Sequence, residues 1–182
     1  MEIAQTAPVD VRKSMKTMEE TILKYTSLVY RVAFEYFKNK YDAEDICQEV
    51  FLCYWKKNPV FENEKHEKAW FIRVTINHCN NQWKIPWNKR KVAMDEEVME
   101  TISGINISDD FTNEVSDNIA IKLALHKLSG KERVMVYLFY YEEYKVKDIA
   151  KILCMSENSA YVRLNRIRQK LKKMLKGDYD YD

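Results

Sequence analysis

The sequence predicts an all-α protein of two small helical modules joined by an acidic linker, the second module ending in a helix-turn-helix. Three observations carry that expectation. Apolar residues recur at three- and four-residue spacing through most of the chain, the period of an amphipathic helix. Only 3 Gly and 3 Pro occur in 182 residues, too few for the turns of a β sandwich. One segment, Val92 to Asp117, breaks the periodicity with eight acids and no Lys or Arg. It reads as mostly extended chain, with a short helix near Asp95 to Glu100.

Residues 1–17 show no periodicity and are expected to form a flexible tail. From Glu19 to Lys38, the stripe Ile22, Tyr25, Val29, Val32, Ala33 and Tyr36 predicts the first helix. Asp42 suits the N-cap of the second, whose stripe is Ala43, Ile46, Cys47, Val50, Phe51 and Tyr54. Pro59 ends it, because a proline disfavours helical geometry in the residue before it. Asn58 to Glu67 reads as a loop and Lys68 to Trp83 as a third helix, with Ala69, Ile72, Ile76, Cys79 and Trp83 on one face. Pro86 stops that helix, so the first module spans 18–91 and the linker 92–117. Periodicity resumes with Ile119, Leu123, Ala124 and Leu128. Ser129 with Glu132 forms a capping box, opening a helix with Val134, Met135, Leu138 and Phe139 at core positions. Val146 to Leu153 and Glu157 to Lys176 follow, the latter capped by Ser156 and striped with Ala160, Leu164, Ile167 and Leu171. The second module spans 118–176, and residues 177–182 form an acidic tail.

Several function classes are disfavoured. No GxGxxG or P-loop pattern occurs, which removes the commonest nucleotide-enzyme readings. No apolar run is long enough to span a bilayer and the N-terminus lacks a signal-peptide core, so a cytoplasmic protein without membrane insertion is expected. Cys47, Cys53, Cys79 and Cys154 form no CxxC pair and read as buried, reduced thiols. An enzyme or metal site would have to draw on His66, His78 or Cys79. His78 and Cys79 point about 100° apart on a helix, and no nucleophile, base and orienting group cluster. No catalytic residue, metal or cofactor is therefore expected.

Charge distribution points instead to nucleic acid. The net charge is only +2, but Lys84, Lys89, Arg90 and Lys91 stand together without an acid. Lys151 to Lys176 carries eight bases against one acid, Glu157. Two basic patches flanking an acidic tether suggest two nucleic-acid contacts in one chain. The run DIAKILCMSENSAYVRLNRIR, Asp148 to Arg168, reads as a short helix, a tight turn and a longer basic helix. In a helix-turn-helix the second helix enters the major groove. Opposite its apolar stripe lie Asn158, Ser159, Tyr161, Val162, Arg163 and Arg166. Asn and Arg can read base edges, while Arg and Ser also hold phosphates.

The run Ala124 to Leu171 resembles region four of bacterial RNA polymerase sigma factors, with the family's RLxRxR motif at Arg163 to Arg168. The resemblance implies that this module binds the upstream promoter element and the flap of the polymerase β subunit. Glu143 and Cys154 stand where the family commonly has glycine, which predicts a strained or differently shaped turn at Cys154. Lys145 stands where a Ser or Thr cap is common and cannot accept capping hydrogen bonds, which predicts a frayed or later helix start.

The second predicted helix carries another stripe beside its core stripe, Asp45, Gln48, Glu49 and Leu52, suited to gripping a partner helix with Leu52 as anchor. The string DAEDICQEVFLCYW, Asp42 to Trp55, resembles sigma region 2.2, whose matching face docks on the clamp helices of the polymerase β′ subunit. The resemblance makes these four residues polymerase contacts. The third helix has Arg73, Asn77, Asn80, Asn81 and Lys84 on its polar face, next to Lys89, Arg90 and Lys91. Asparagines can pair with unstacked bases and lysines with phosphates. In the family this helix and the preceding loop, here carrying Phe61, Asn63 and Lys65, open the downstream promoter element and capture a flipped base. Trp70 reads as a packing residue rather than a stacking platform.

The two motif regions cover most of residues 20–175 and resemble the minimal extracytoplasmic-function (ECF) type, in which region two joins region four directly. In the family the linker threads basic polymerase channels. Core RNA polymerase and promoter DNA are thus the implied partners, and an anti-sigma factor is left open as a third. The alternative is a free-standing helix-turn-helix regulator with a helical sensor module, which would have no need of DAEDICQEVFLCYW. A helical interaction protein without DNA binding would leave the terminal Arg and Lys stripe unexplained.

Overall fold

The computed structural model describes the backbone of residues 9–83 and 115–176, and the side chains of 18–82 and 120–175. Seven helices occur among these residues: α1 (Val9–Phe37), α2 (Lys40–Lys57), α3 (Glu64–Trp83), α4 (Val115–His126), α5 (Gly130–Tyr140), α6 (Val146–Ile152) and α7 (Glu157–Lys176). Residues 92–114 of the expected linker, with its short helix, lie outside the described residues, as do Lys84, Lys89, Arg90 and Lys91, and α4 begins at Val115, inside the stretch expected to be linker.

The first helix starts ten residues before Glu19, so about half of the expected tail is helical. No Gly or Pro lies between Val9 and Phe37, and Lys, Met, Glu and Arg propagate a helix even without an apolar stripe. The second helix is capped by Asn39 rather than Asp42. The Asn39 side chain accepts from Asp42 N–H at 3.0 Å, which places Asp42 inside the first turn. This helix ends at Asn58, whose left-handed φ of 40° satisfies the chain reversal before Pro59. The expected loop is shorter than Asn58 to Glu67, because α3 begins at Glu64 with the Asn63 side chain accepting from His66 N–H at 2.9 Å.

The first module packs α1, α2 and α3 around Val29, Val32, Ala33, Ile46, Val50, Phe71 and Ile72, all fully buried. Phe71 is absent from the stripe expected for the third helix. It stacks on Tyr25 at 4.5 Å between ring centres and tilts against Tyr54 and Phe51. Trp70 packs edge-on to Tyr54, Phe61 and Phe71, so it belongs to the aromatic core wall.

The second module follows its pattern in α5 and α7, whereas Leu123 of the expected α4 stripe is 40% exposed and Phe139 is only half-buried. The Ser129–Glu132 capping box is complete, and Ser156 Oγ accepts from Ser159 N–H at 3.1 Å. Ala160, Leu164 and Ile167 of α7 are buried with Val134, Met135, Leu138 and Ile149. Contrary to expectation, α6 starts directly after Lys145. The Lys145 carbonyl accepts from the N–H groups of Asp148 and Ile149, and this backbone turn replaces the missing side-chain cap. The turn at Cys154 keeps a glycine-like shape: Cys154 has φ 52° and Glu143 φ 54°. Cys154 is consequently exposed, unlike the buried thiol expected, whereas Cys79 is buried and Cys47 and Cys53 are half-buried.

The modules pack on each other, an arrangement that the sequence pattern does not reveal. Helix α1 contacts α5, α3 contacts α6, and a single cluster of buried side chains runs through both modules.

Candidate nucleic-acid and protein interfaces

Three surfaces stand out. On α2 the core positions Ala43, Ile46 and Val50 face inward, and Asp45, Gln48, Glu49 and Leu52 all lie exposed on the adjoining face. Leu52 is 49% exposed. The structure extends this stripe at both ends with Tyr41 and Trp55, which are 71% and 62% exposed. Residues 41, 45, 48, 52 and 55 alternate steps of four and three, so they lie along one line of the helix. Sequence reasoning missed Tyr41 and Trp55. The same spacing rule could have found them, since neither fits the core stripe. Glu49 sits at the edge of the stripe, its carboxylate 2.7 Å from His78 Nδ1 on α3.

The α3 candidates divide. Arg73, Asn77 and Asn81 are exposed. Asn80 is half-buried, and its Oδ1 accepts from Tyr36 O–H at 3.0 Å, tying it to the core. In the preceding loop Phe61 is half-buried with its ring edge-on to Trp70, and Asn63 is occupied as the helix cap. Lys65 is exposed but pairs with Asp148 of the second module at 3.2 Å. Arg73 Nη2 likewise donates to the Lys151 carbonyl at 3.0 Å.

On α7 every candidate is exposed: Asn158, Ser159, Tyr161, Val162, Arg163 and Arg166. With Ala160, Leu164 and Ile167 buried, the module fixes the azimuth of α7 and presents one continuous polar and basic face. Arg168 lies off that face, its guanidinium about 5.0 Å from the Phe139 ring centre and hydrogen-bonded to Tyr140 O–H. It packs as a cation–π partner.

No helix of the described residues is long and apolar enough to cross a membrane. Two thiols are chemically quiet: burial pushes Cys47 up to about 11, and pushes Cys79 well above the ordinary thiol value.

Comparison with known proteins matches both modules to one family. The profile of sigma-70 region 2 matches residues 21–85 and that of sigma-70 region 4 matches residues 118–171. RNA polymerase sigma factor SigV of Bacillus subtilis (strain 168) is 29% identical over 141 residues, covering 75% of this chain and 78% of that protein. ECF RNA polymerase sigma factor SigW of the same organism is 26% identical over 163 residues, covering 84% and 85%. Among solved structures, sigma factor RpoE of Bartonella quintana, crystallised with the anti-sigma factor NepR, superposes with a TM-score of 0.64 at 23% identity, covering 88% of this chain and 98% of that one.

Proposed function

This chain belongs to the sigma-70 family, with regions 2 and 4 in the manner of the ECF type, and from that premise we propose how its surfaces divide the work of promoter recognition. It is a promoter-recognising transcription initiation factor, of a family that is non-enzymatic. The proposed site of action is the cytoplasm, where RNA polymerase works.

The α2 stripe is the proposed seat of the polymerase β′ clamp helices, with Leu52 and Trp55 as apolar anchors and Asp45 and Gln48 fixing register. The carrying observation is the exposure of two large apolar side chains, Leu52 and Trp55, in line with a carboxylate and an amide on a helix whose opposite face is fully buried. Clusters of aromatic and aliphatic anchors within a polar rim are how protein interfaces concentrate their energy. The outer face of α7 is the proposed reader of the upstream element, through Asn158, Arg163 and Arg166. Arg73, Asn77 and Asn81 on α3, with Lys84 to Lys91 following, form the proposed downstream face. The second module is proposed to meet the β flap, as the family resemblance implies, and an anti-sigma factor is a further proposed partner.

Pull-down with core polymerase and promoter footprinting test this reading. Asp45→Ala with Gln48→Ala should weaken core binding without changing helix content. Free protein should bind promoter duplex weakly, whereas the polymerase complex should bind specifically and expose thymines to permanganate. Core binding equal to wild type in the double variant would remove the α2 assignment. Specific, strand-opening binding by the chain alone would favour the free-standing regulator.

A further inference from the structure

His78 belongs neither to the core nor to the Arg73–Asn77 line of α3: its side chain is 28% exposed. Its Nδ1 lies 2.7 Å from the carboxylate of Glu49, which stands exposed at the edge of the α2 stripe. Asn81 follows three residues later on α3, the spacing of side-by-side neighbours. The Glu49–His78 pair thus occupies the corner where the α2 stripe meets the polar face of α3.

The chemistry of the pair fixes what the ring shows to solvent. A carboxylate only accepts hydrogen bonds, so Nδ1 carries a proton. In the neutral ring Nε2 is then a bare lone pair, which repels an anion. Nε2 makes no hydrogen bond among the described residues and is not shut off from solvent. One more proton, taken from water, makes Nε2 an N–H donor on a cation, the form that a phosphate oxygen binds. Histidine is the side chain that takes up such a proton near neutral pH.

Glu49 is the charged group that meets the ring from α2. The buried Cys79 thiol, next on α3, interacts with Glu49 as well, but burial keeps it protonated. Arg73 and Lys84, the nearest bases on α3, stand five and six residues away. Among the described residues no ion pair or hydrogen bond reaches the ring from α1. A phosphate at Nε2 would complete a line of three charges, carboxylate, imidazolium and phosphate, with the cation in the middle.

We propose that His78 Nε2 is a backbone-phosphate contact of the downstream DNA face, charged by a proton taken up on binding, and that Glu49 is its positioning residue. The proposal rests on the reading of α3 as a DNA face.

The test uses core polymerase reconstituted with the full chain and a fork-junction DNA selected from a randomised pool on the wild-type complex. Fluorescence anisotropy follows binding as pH and salt are varied. His78→Asn keeps an N–H for Glu49 but has nothing in the place of Nε2. His78→Arg carries a permanent charge. Uptake of one proton makes affinity rise as pH falls, by up to about tenfold per pH unit. Between about pH 8 and pH 6 wild type should gain several-fold more affinity than either variant. His78→Asn should match wild type at the upper end and bind about three- to tenfold more weakly at the lower end. There its salt slope should also be shallower by the roughly 0.7–0.9 that one phosphate contact contributes. Identical pH and salt dependence in wild type and His78→Asn overturns the proposal and leaves the pair as a link between α2 and α3. So does a weakened His78→Asn complex with an unchanged salt slope, the mark of a structural loss. Arg73→Ala and Asn77→Ala separate these outcomes from failure of the α3 reading. If they too leave affinity unchanged, α3 is not a DNA face. A loss in them beside an unaffected His78→Asn removes His78 alone.

Discussion

Replacing Arg133 by leucine should be among the most damaging single changes in the second module, and its cost can be worked from the contacts. The side chain is 9% exposed and its guanidinium donates to four carbonyls, those of Glu35, Tyr36, His126 and Leu128. A hydrogen bond involving a charged group contributes about 1.5–3 kcal/mol net. Four of them cannot simply be added. Taking the guanidinium out of water costs several kcal/mol, and that burial lowers the pKa of Arg133 against the opposing pull of Glu35, Glu132 and Tyr36. The Glu35 and Tyr36 carbonyls can also regain water when the modules separate. Those of His126 and Leu128 lie at the connection from α4 to α5 and lose their partner whether the chain is open or closed. Two such bonds set the expected loss at roughly 3 kcal/mol. Urea denaturation of the full chain, followed by circular dichroism, measures it. Arg133→Lys should recover little, because a single ammonium cannot reproduce the planar fork that spans four acceptors. A loss below about 1 kcal/mol in Arg133→Leu would refute the reasoning, since it would put the guanidinium's net contribution within the range of an ordinary surface substitution.

Three further outcomes are expected. Cys154→Gly should raise stability by about 1 kcal/mol in the same urea experiment, because Cys154 is exposed and holds a left-handed φ that costs a side chain roughly that much. In timed alkylation Cys154 should react well before Cys79, since the first is exposed and burial pushes the second far above the ordinary thiol range. Burial pushes the Glu132 carboxyl up, but the Ser129 N–H and hydroxyl and the Lys170 ammonium outweigh it, so the pKa falls below 4.5. A lowered carboxylate pKa gives stability that is fully present above about pH 4.5 and is lost as pH falls through the folded value. Glu132→Gln should therefore lower stability at pH 7 and flatten the acid limb of the stability–pH curve, and an unchanged acid limb would contradict the assignment.

The parts of the molecule legible in the sequence are those governed by local rules. The capping box at Ser129, the stripe of α7 and the mixed stripe of α2 all follow from spacing along a single helix, and the structure places them as spacing requires. In the first module capping was legible in kind but not in position, because Asn39, Asp42 and Asn63 are all competent acceptors and only the path of the chain chooses among them. Phe71 escaped because α3 is buried over a wide arc, Phe71, Ile72, Val74, Thr75, Ile76 and Cys79 together, and a helix apolar on two sides has no single stripe to read. Arg133 escaped for another reason. A basic residue at a solvent-compatible spacing reads as surface until the partner carbonyls, nearly a hundred residues earlier, are known. Gly130 is the one sequence trace of that contact, since a Cβ there would collide with the Tyr36 carbonyl oxygen, and its meaning needs Tyr36.

The composition of the seam explains how such a contact can both form and yield. Its ion pairs keep their cations at the water boundary: Lys65 is 69% exposed and Lys68 38%, against partners Asp148 and Glu142 at 16% and 15%. Pairs whose cation stays solvated weaken as salt rises. The strongest polar element is the Arg133 fork, and it is divided between the modules. Two of its four acceptors belong to its own module, so opening surrenders only the bonds to α1, whose end carbonyls then hydrate. A partner that stretches the linker therefore does not have to break the fold of either module to part them. Two promoter elements separated by roughly two helical turns lie about 70 Å apart along the duplex, a span that modules in direct contact cannot cover. Simultaneous engagement of both elements requires the seam to open. On the proposed assignment of the α2 stripe to polymerase, that work is supplied by holding α2 and the second module at separate places, and both the α2 stripe and the outer face of α7 are exposed while the modules touch.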